Sequence, residues 1–241
     1  TQQSTSGRGA TISPEPSKMS IDVSKIKNIA LVIGTNSYAN WPALSNPVFD
    51  AETIKNELEQ KYNYEVIYLK NPTKAQIQEQ LFSLHTKFQS KAYGDNANFL
   101  FFLAGHGGYD DFVTGYIVPA DAKSAANDKF KESCIKHDDL RTMIDRINAK
   151  HTLVVLDACY GGAFDQLISS RGSDDGKSDY PMIDYAEFIR EKTTYSSRKY
   201  ITSGGKEYVP DGTPGHHSPF AYRFIALLRD SYDNKHLITF H

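Results

Sequence analysis

The 241-residue chain is predicted to fold as an α/β domain, with a mostly parallel β-sheet flanked by helices on both faces. Apolar runs of strand length alternate along the sequence with segments whose apolar residues recur at helical spacing. The strand-like runs are apolar at consecutive positions, which is typical of strands buried on both faces. Such strands in alternation with helices indicate a parallel sheet.

The first half of the chain contains three predicted strands, at residues 28–34, 64–69 and 98–104. A helix is predicted after Asn46-Pro47, a suitable pair for the N-cap and first helical position. A second helix follows Thr73, which forms a capping-box pattern with Gln76. The apolar stripe of the first helix is Val48, Ala51, Ile54 and Leu58, and that of the second is Ile77, Leu81, Leu84 and Phe88.

The second half continues the alternation. We expect a small hairpin within 108–119 and a polar connection over 120–136. Asp138 or Asp139 could cap a third helix, whose apolar face would be Leu140, Met143, Ile144 and Ile147. Further strands are predicted at 152–156 and 199–202, and a closing helix at 219–228.

Two short strings directly follow the third and fourth predicted strands. The first is Gly105-His106-Gly107-Gly108, and the second is Asp157-Ala158-Cys159-Tyr160-Gly161-Gly162. Open α/β sheets bind ligands at the carboxyl ends of their strands. A His and a Cys there can form a thiolate–imidazole pair, the machinery of covalent acyl transfer. The alternatives are an ordinary turn histidine and a buried structural thiol.

The glycines of these strings suit an oxyanion hole, because bare backbone lets N–H groups approach a substrate carbonyl. We assign the backbone N–H groups of Gly107 and Cys159 to that role. The other cysteine, Cys134, lies in a polar stretch without a glycine turn and is interpreted as structural or incidental.

Together these strings resemble the caspase-like clan, in which a His stands about 50 residues before the nucleophile. Asp-Ala-Cys-x-Gly-Gly is more similar to metacaspases and their prokaryotic relatives than to animal caspases, whose Gln-Ala-Cys-x-Gly is absent here. Three further strings are similar to family segments in the same order, and the resemblance covers roughly residues 26–230. They are Asn28–Gly34, Leu44–Ala51 and Ser218–Tyr222.

The resemblance implies a caspase-like three-layer sandwich at residues 21–241, after a flexible linker or tail at 1–20. Its large portion would span about 26–163, a charged linker about 164–198, and its small portion about 199–241. In such a zymogen we expect autoprocessing in the linker. The basic candidates for the cut are Arg171, Lys177, Arg190, Lys192 and Arg198.

In metacaspases, the acid matching Asp157 and the acid matching Asp50 hold a basic P1 side chain. The resemblance therefore implies that these two carboxylates bind Arg or Lys at P1 and repel an acidic P1 residue. We also assign Ser203 to substrate binding. A simpler interpretation of Asp157 is a carboxylate that accepts hydrogen bonds from turn amides.

No organic cofactor is required for this chemistry, but several metacaspases need calcium. Four acids of the charged stretch could supply oxygen ligands, although their spacing does not match an EF-hand loop. They are Asp174, Asp175, Asp179 and Asp184. His216-His217 lacks zinc-type spacing to other ligands and is interpreted as loop.

Composition excludes several partners. Lys+Arg 27 against Asp+Glu 29 gives a net charge of −2, without the basic surplus typical of nucleic-acid or membrane-surface binding. No apolar run approaches the roughly 18 residues of a membrane span, so we expect a soluble chain.

Two cysteines do not make a disulfide framework, which favours a reducing, cytoplasmic location. Because the first residue is Thr1 rather than Met, the native N-terminus is not in view and an upstream regulatory domain is possible.

The predicted function is a cysteine endopeptidase that cleaves protein or peptide substrates after Arg or Lys with a Cys159–His106 dyad. An activator protein could switch it on. Two alternatives stay open: a catalytically silent scaffold or sensor module of a larger protein, and a protease of the same clan with a different P1 preference.

Overall fold

The computed structural model describes residues 26–159, 195–204 and 210–235. In chain order the elements are β1 (Asn28–Gly34), α1 (Pro47–Tyr62), β2 (Tyr64–Lys70), α2 (Lys74–Gln89), β3 (Asn98–Gly105), β4 (Gly107–Asp110), β5 (Thr114–Ile117), β6 (Ile135–Lys136), α3 (His137–Asp145), β7 (His151–Ala158), β8 (Ser197–Thr202) and α4 (Pro219–Lys235).

Five strands form one sheet in the order β2-β1-β3-β7-β8, and each neighbouring pair is parallel. The chain runs from β1 to β2 on one side and then crosses to β3 on the other side of β1. The strand order therefore reverses between β1 and β3, where open α/β sheets form their ligand crevice.

Alternate side chains of the central strands face two separate cores. Ile29, Leu31 and Ile33 of β1 pack in a cluster with α2 and α3, whereas Ala30 and Val32 pack in a second cluster with α1 and α4. The sheet thus has helices on both faces, which confirms the predicted three-layer caspase-like architecture. It also explains the continuous apolar runs, because both faces of β1 and β3 are buried.

A second, antiparallel sheet has the order β4-β5-β6. Its first two strands are the hairpin expected beside His106. The polar connection over 120–136 is more structured than predicted, because it contains a short 3₁₀ turn at Ala125–Asn127 and ends in β6. Buried Ile135 of β6 joins the core that contains α2 and α3, which attaches the small sheet to the large one.

The helix starts follow the sequence signals in part. Thr73 and Gln76 form the predicted capping box of α2. Asn46 occupies the N-cap position of α1, but its side chain does not cap the helix. The expectation that Asp138 or Asp139 caps α3 is wrong: Lys136 is the N-cap, and both acids lie in the first turn, where the helix dipole stabilises them.

The strand predicted at 199–202 is β8, which already begins at Ser197. Arg198 lies inside this strand, and its guanidinium donates to the Asp145 side chain and to two backbone carbonyls, those of Asp145 and Ile147. A strand residue held in this way is poorly suited to enter an active site as a cleavage site. The other four candidates for the cut lie outside the described residues.

No helix in the described ranges is both long and apolar enough to span a lipid bilayer.

Gly34, at the end of β1, lies against the start of α1. A Cβ on this residue would come 2.6 Å from Pro47 O and 2.8 Å from Val48 Cα, both backbone atoms that cannot move alone. We expect Gly34→Ala to lower the free energy of unfolding by about 2–4 kcal/mol. Gly94→Ala is the control, since its Cβ has open space and only the positive φ costs about 1 kcal/mol. Urea unfolding measures both variants. If Gly34→Ala and Gly94→Ala lost the same free energy of unfolding, α1 would be able to shift away from the strand.

Candidate active site

The register of two central strands brings the His and the Cys together. In the parallel pairing of β3 with β7, Gly105 lies opposite Ala158. His106 and Cys159 directly follow these two strands, and neighbouring strands are about 4.8 Å apart. Both residues line one cleft at the carboxyl edge of the sheet, as predicted from the sequence.

The imidazole of His106 is fixed by contacts that the sequence did not predict. Its Nε2 lies 2.8 Å from the carbonyl oxygen of Pro42. Because a carbonyl only accepts hydrogen bonds, Nε2 carries the proton, and Nδ1 is the basic atom of the neutral ring. The ring also packs against Tyr38 and Trp41, with centroids 4.8 and 5.8 Å away.

Tyr38 contacts both the ring and the backbone of His106. Its hydroxyl donates to Thr35 O at 2.9 Å and accepts the backbone N–H of His106 at 2.9 Å. Burial raises the pKa of Tyr38, so the phenol stays protonated and able to donate. A Cβ on Gly105 would come 2.8 Å from the hydroxyl, which explains the glycine before His106.

Gly107 lies closely against the backbone of the second motif. A Cβ on Gly107 would be 2.3 Å from Cys159 O, so no other residue fits without displacing the cysteine. In the pairing of β4 with β5, Val118 N donates to His106 O, and Gly107 therefore forms a non-hydrogen-bonded pair with Ile117. The N–H of Gly107 is not used by this ladder and points to the opposite edge of β4.

Cys134 is not among the residues that line the cleft. It is buried in a small cluster with Tyr116, Val118 and Ala122. Burial, together with the nearby Asp128, raises its pKa to about 11, which keeps the thiol protonated and unreactive. Cys159 is only partly buried and lines the cleft.

Three acids line the same cleft. Asp157 comes from the end of β7 and Asp50 from the first turn of α1, as the sequence suggested, and Asp211 was not predicted. Among the described residues that line the cleft there is no lysine or arginine. The cleft is therefore an acidic receptor suited to a cation.

Asp157 is nearly buried, and its Oδ2 accepts a hydrogen bond from Ser218 Oγ at 2.5 Å. Ser218 Oγ also accepts the N–H of Ala221 at 2.9 Å, which is the capping bond of α4. Burial raises the pKa of Asp157 to about 6. The hydrogen bonds from Ser218 and Ser203 act to lower this pKa, whereas the negative charges of Asp50 and Asp211 act to raise it. The sequence contains the capping signal in Ser218-Pro219 but not its link to Asp157.

Asp50 is buried in the first turn of α1. Its Oδ1 accepts from His217 Nδ1 at 2.6 Å, and its Oδ2 accepts from Ser218 N at 3.2 Å. Burial raises the pKa of Asp50, the hydrogen bonds of His217 and Ser218 oppose that rise, and the negative charge of Asp211 adds to it.

Asp211 ties the loop at 210–217 to the start of α1. Its carboxylate accepts the N–H groups of Ser45 at 2.6 Å and Asn46 at 3.2 Å. In return, Asn46 Nδ2 donates to Asp211 O at 2.6 Å and to Thr213 O at 3.1 Å. This exchange fixes the Asn46 side chain through Nδ2, while its Oδ1 does not cap α1. The loop thereby contributes Pro210 and Asp211 to the cleft lining.

Other predicted site residues have different positions. Ser203 follows β8, and its hydroxyl donates to Ala158 O at 3.4 Å, so it lies behind Asp157 rather than among the lining residues. Gly161 and Gly162 lie outside the described residues, as do the four candidate calcium ligands Asp174, Asp175, Asp179 and Asp184.

Two comparisons with known proteins show what the chain is similar to. The caspase domain family model matches residues 27–241. Mucosa-associated lymphoid tissue lymphoma translocation protein 1 from Homo sapiens is 26% identical over 131 residues, which is 54% of this chain. The chain spans 15% of the length of that relative.

The buried charge of Asp157 makes a testable contribution to stability. Because its pKa is higher in the folded chain than in the unfolded chain, ionisation at pH above about 6 destabilises the fold, and this effect disappears as pH falls toward 4. We expect Asp157→Asn to raise the free energy of unfolding by up to about 3 kcal/mol at pH 7.5. The gain should shrink to near zero at pH 4, as measured by urea unfolding at both values. A less stable variant at pH 7.5 would contradict this account.

Proposed function

This chain belongs to the caspase domain family, and from that membership we propose that it is a cysteine endopeptidase that cleaves peptide bonds after Arg or Lys. The observation that carries the proposal is that His106, Cys159 and three acids line the same cleft. A nucleophile–base pair next to an acidic receptor suits acyl transfer beside a cationic side chain.

In the proposed reaction, His106 Nδ1 takes the proton from Cys159 Sγ, and the thiolate attacks the scissile carbonyl carbon. The protonated ring then gives this proton to the leaving amine as the C–N bond breaks, which leaves a thioester on Cys159. Water, deprotonated by the same ring, hydrolyses the thioester and restores the thiol. The bond from Nε2 to Pro42 O holds the ring in the tautomer that these steps require.

We propose that the N–H groups of Gly107 and Cys159 stabilise the oxyanion. The support for Gly107 is that its N–H is free of the β4–β5 ladder and that its Cα packs against the Cys159 backbone. A larger residue at this position would separate the two donors.

The three acids are proposed to select the P1 residue. Asp50 and Asp157 are shielded from water, so an ionic contact with a P1 guanidinium or ammonium is weakly screened. An acidic P1 side chain would meet like charge from three sides, which disfavours the Asp preference of animal caspases. Ser203, behind Asp157, would act by holding that carboxylate rather than by touching substrate.

Replacement of the nucleophile tests the proposal. We expect Cys159→Ala to abolish cleavage of peptides with Arg or Lys at P1 and leave the fold intact, because little packed volume is lost. Cys134→Ala is the matched control and should keep activity, since its thiol is buried and does not line the cleft. Cleavage is measured for peptides with Arg, Lys, citrulline or Asp at P1, each with and without Ca²⁺. The P1 series tests specificity, and the comparison with Ca²⁺ tests calcium activation. A wild-type chain that cleaves none of them under any condition would favour the silent scaffold instead.

Autoprocessing is a second expectation of the proposed activity. The stretch around Arg171 and Lys177 is rich in Ser, Gly and Asp and poor in apolar residues, as is typical of segments that a protease can cut. We expect the active wild-type chain to yield two fragments with a new N-terminus after Arg171 or Lys177, whereas Cys159→Ala stays whole. Intact-mass measurement decides this, and a cut that persists in the variant would assign it to another protease.

A further inference from the structure

His217 is held by two contacts that have no role in the reaction described above. Its Nδ1 lies 2.6 Å from Asp50 Oδ1. Its ring stacks on Phe49, with centroids 4.4 Å apart and planes inclined by 10°. The stack fixes the plane of the ring, and the hydrogen bond fixes its direction, so the imidazole has one defined orientation toward Asp50.

Asp50 depends on such a donor. Its side chain is 1% exposed, and Asp157 and Asp211 add negative charge around the same cleft. Among the described residues, its only hydrogen-bond donors are His217 Nδ1 and Ser218 N. A buried carboxylate without these bonds would become neutral or turn away from the cleft.

We propose that His217 is a positioning residue that sets the selectivity of the cleft for a cationic P1 side chain, by holding Asp50 ionised and directed into the cleft. This inference rests on the proposed function, because it concerns the same P1 site. His217 itself is not among the residues that line the cleft, so it acts through Asp50 rather than on substrate.

The chemistry of imidazole suits this role better than that of Lys or Arg. An ionised carboxylate only accepts, so Nδ1 carries a proton, and a neutral ring can donate it without adding positive charge. A permanent cation at the same place would neutralise Asp50 and compete with the P1 side chain.

Three variants separate the hydrogen bond from packing. His217→Phe keeps the stack on Phe49 but removes the donor. His217→Asn restores an N–H donor close to the position of Nδ1. His216→Phe is the matched control, because His216 is exposed and none of its described hydrogen bonds reaches Asp50. Thermal melts verify that each variant is folded.

The readout compares two peptides that differ only in the P1 charge, Arg and its neutral isostere citrulline. We expect His217→Phe to lower kcat/KM for the Arg peptide by about tenfold or more, mainly through KM, as for loss of a hydrogen bond to a charged group. The citrulline peptide should change less than about threefold, and His217→Asn should recover most of the loss. Calorimetric binding of both peptides to Cys159→Ala chains that carry the same His217 changes repeats the comparison without turnover.

The outcomes distinguish the two proposals. A wild-type chain that does not prefer Arg over citrulline, in either cleavage or binding, contradicts the proposed P1 specificity and this inference with it. A wild-type preference that survives His217→Phe contradicts the inference alone. Equal losses for both peptides, or no recovery in His217→Asn, would give His217 a purely structural role and also overturn it.

Discussion

The parallel pairing of β3 with β7 is the constraint on which the rest of the site depends. Both strands are buried between two helical layers, so their side-chain alternation is fixed by the cores on the two faces. A shift of one residue would exchange the two faces of a strand and move His106 relative to Cys159 by about 3.3 Å. Packing far from the cleft therefore fixes the distance between base and nucleophile.

The acids that make the cleft receptive to a cation are held by the ends of helices. Asp50 lies in the first turn of α1, where the helix dipole favours negative charge. Asp157 is linked to the start of α4 through Ser218, whose hydroxyl joins the carboxylate to the N–H of Ala221. Burial nevertheless raises the pKa of both acids. The fold thus maintains charges that are unfavourable without a bound cation, a feature typical of functional sites.

The loop at 210–217 completes the cleft through contacts between distant parts of the sequence. Asp211 binds the backbone before α1, and His217 binds Asp50 within it. Both residues are more than 150 positions from their partners in the chain. These contacts require α1 and α4 to lie on the same face of the sheet. The contacts proposed to select the substrate therefore exist only in the folded chain.

The sequence by itself determined the strands of the large sheet, the main helices and the places of His106 and Cys159, because these depend on local signals: apolar runs, glycine turns and capping residues. Asp50 and Asp157 are assigned through the resemblance to metacaspases. Tertiary structure alone decided the Pro42 carbonyl partner of His106, the third acid Asp211 and the contact of His217 with Asp50. Those contacts join loops that have no periodicity, and a backbone carbonyl has no residue type to recognise. The sequence also misjudged Asp138 and Arg198, since the start of α3 and the beginning of β8 are set by packing against neighbouring elements.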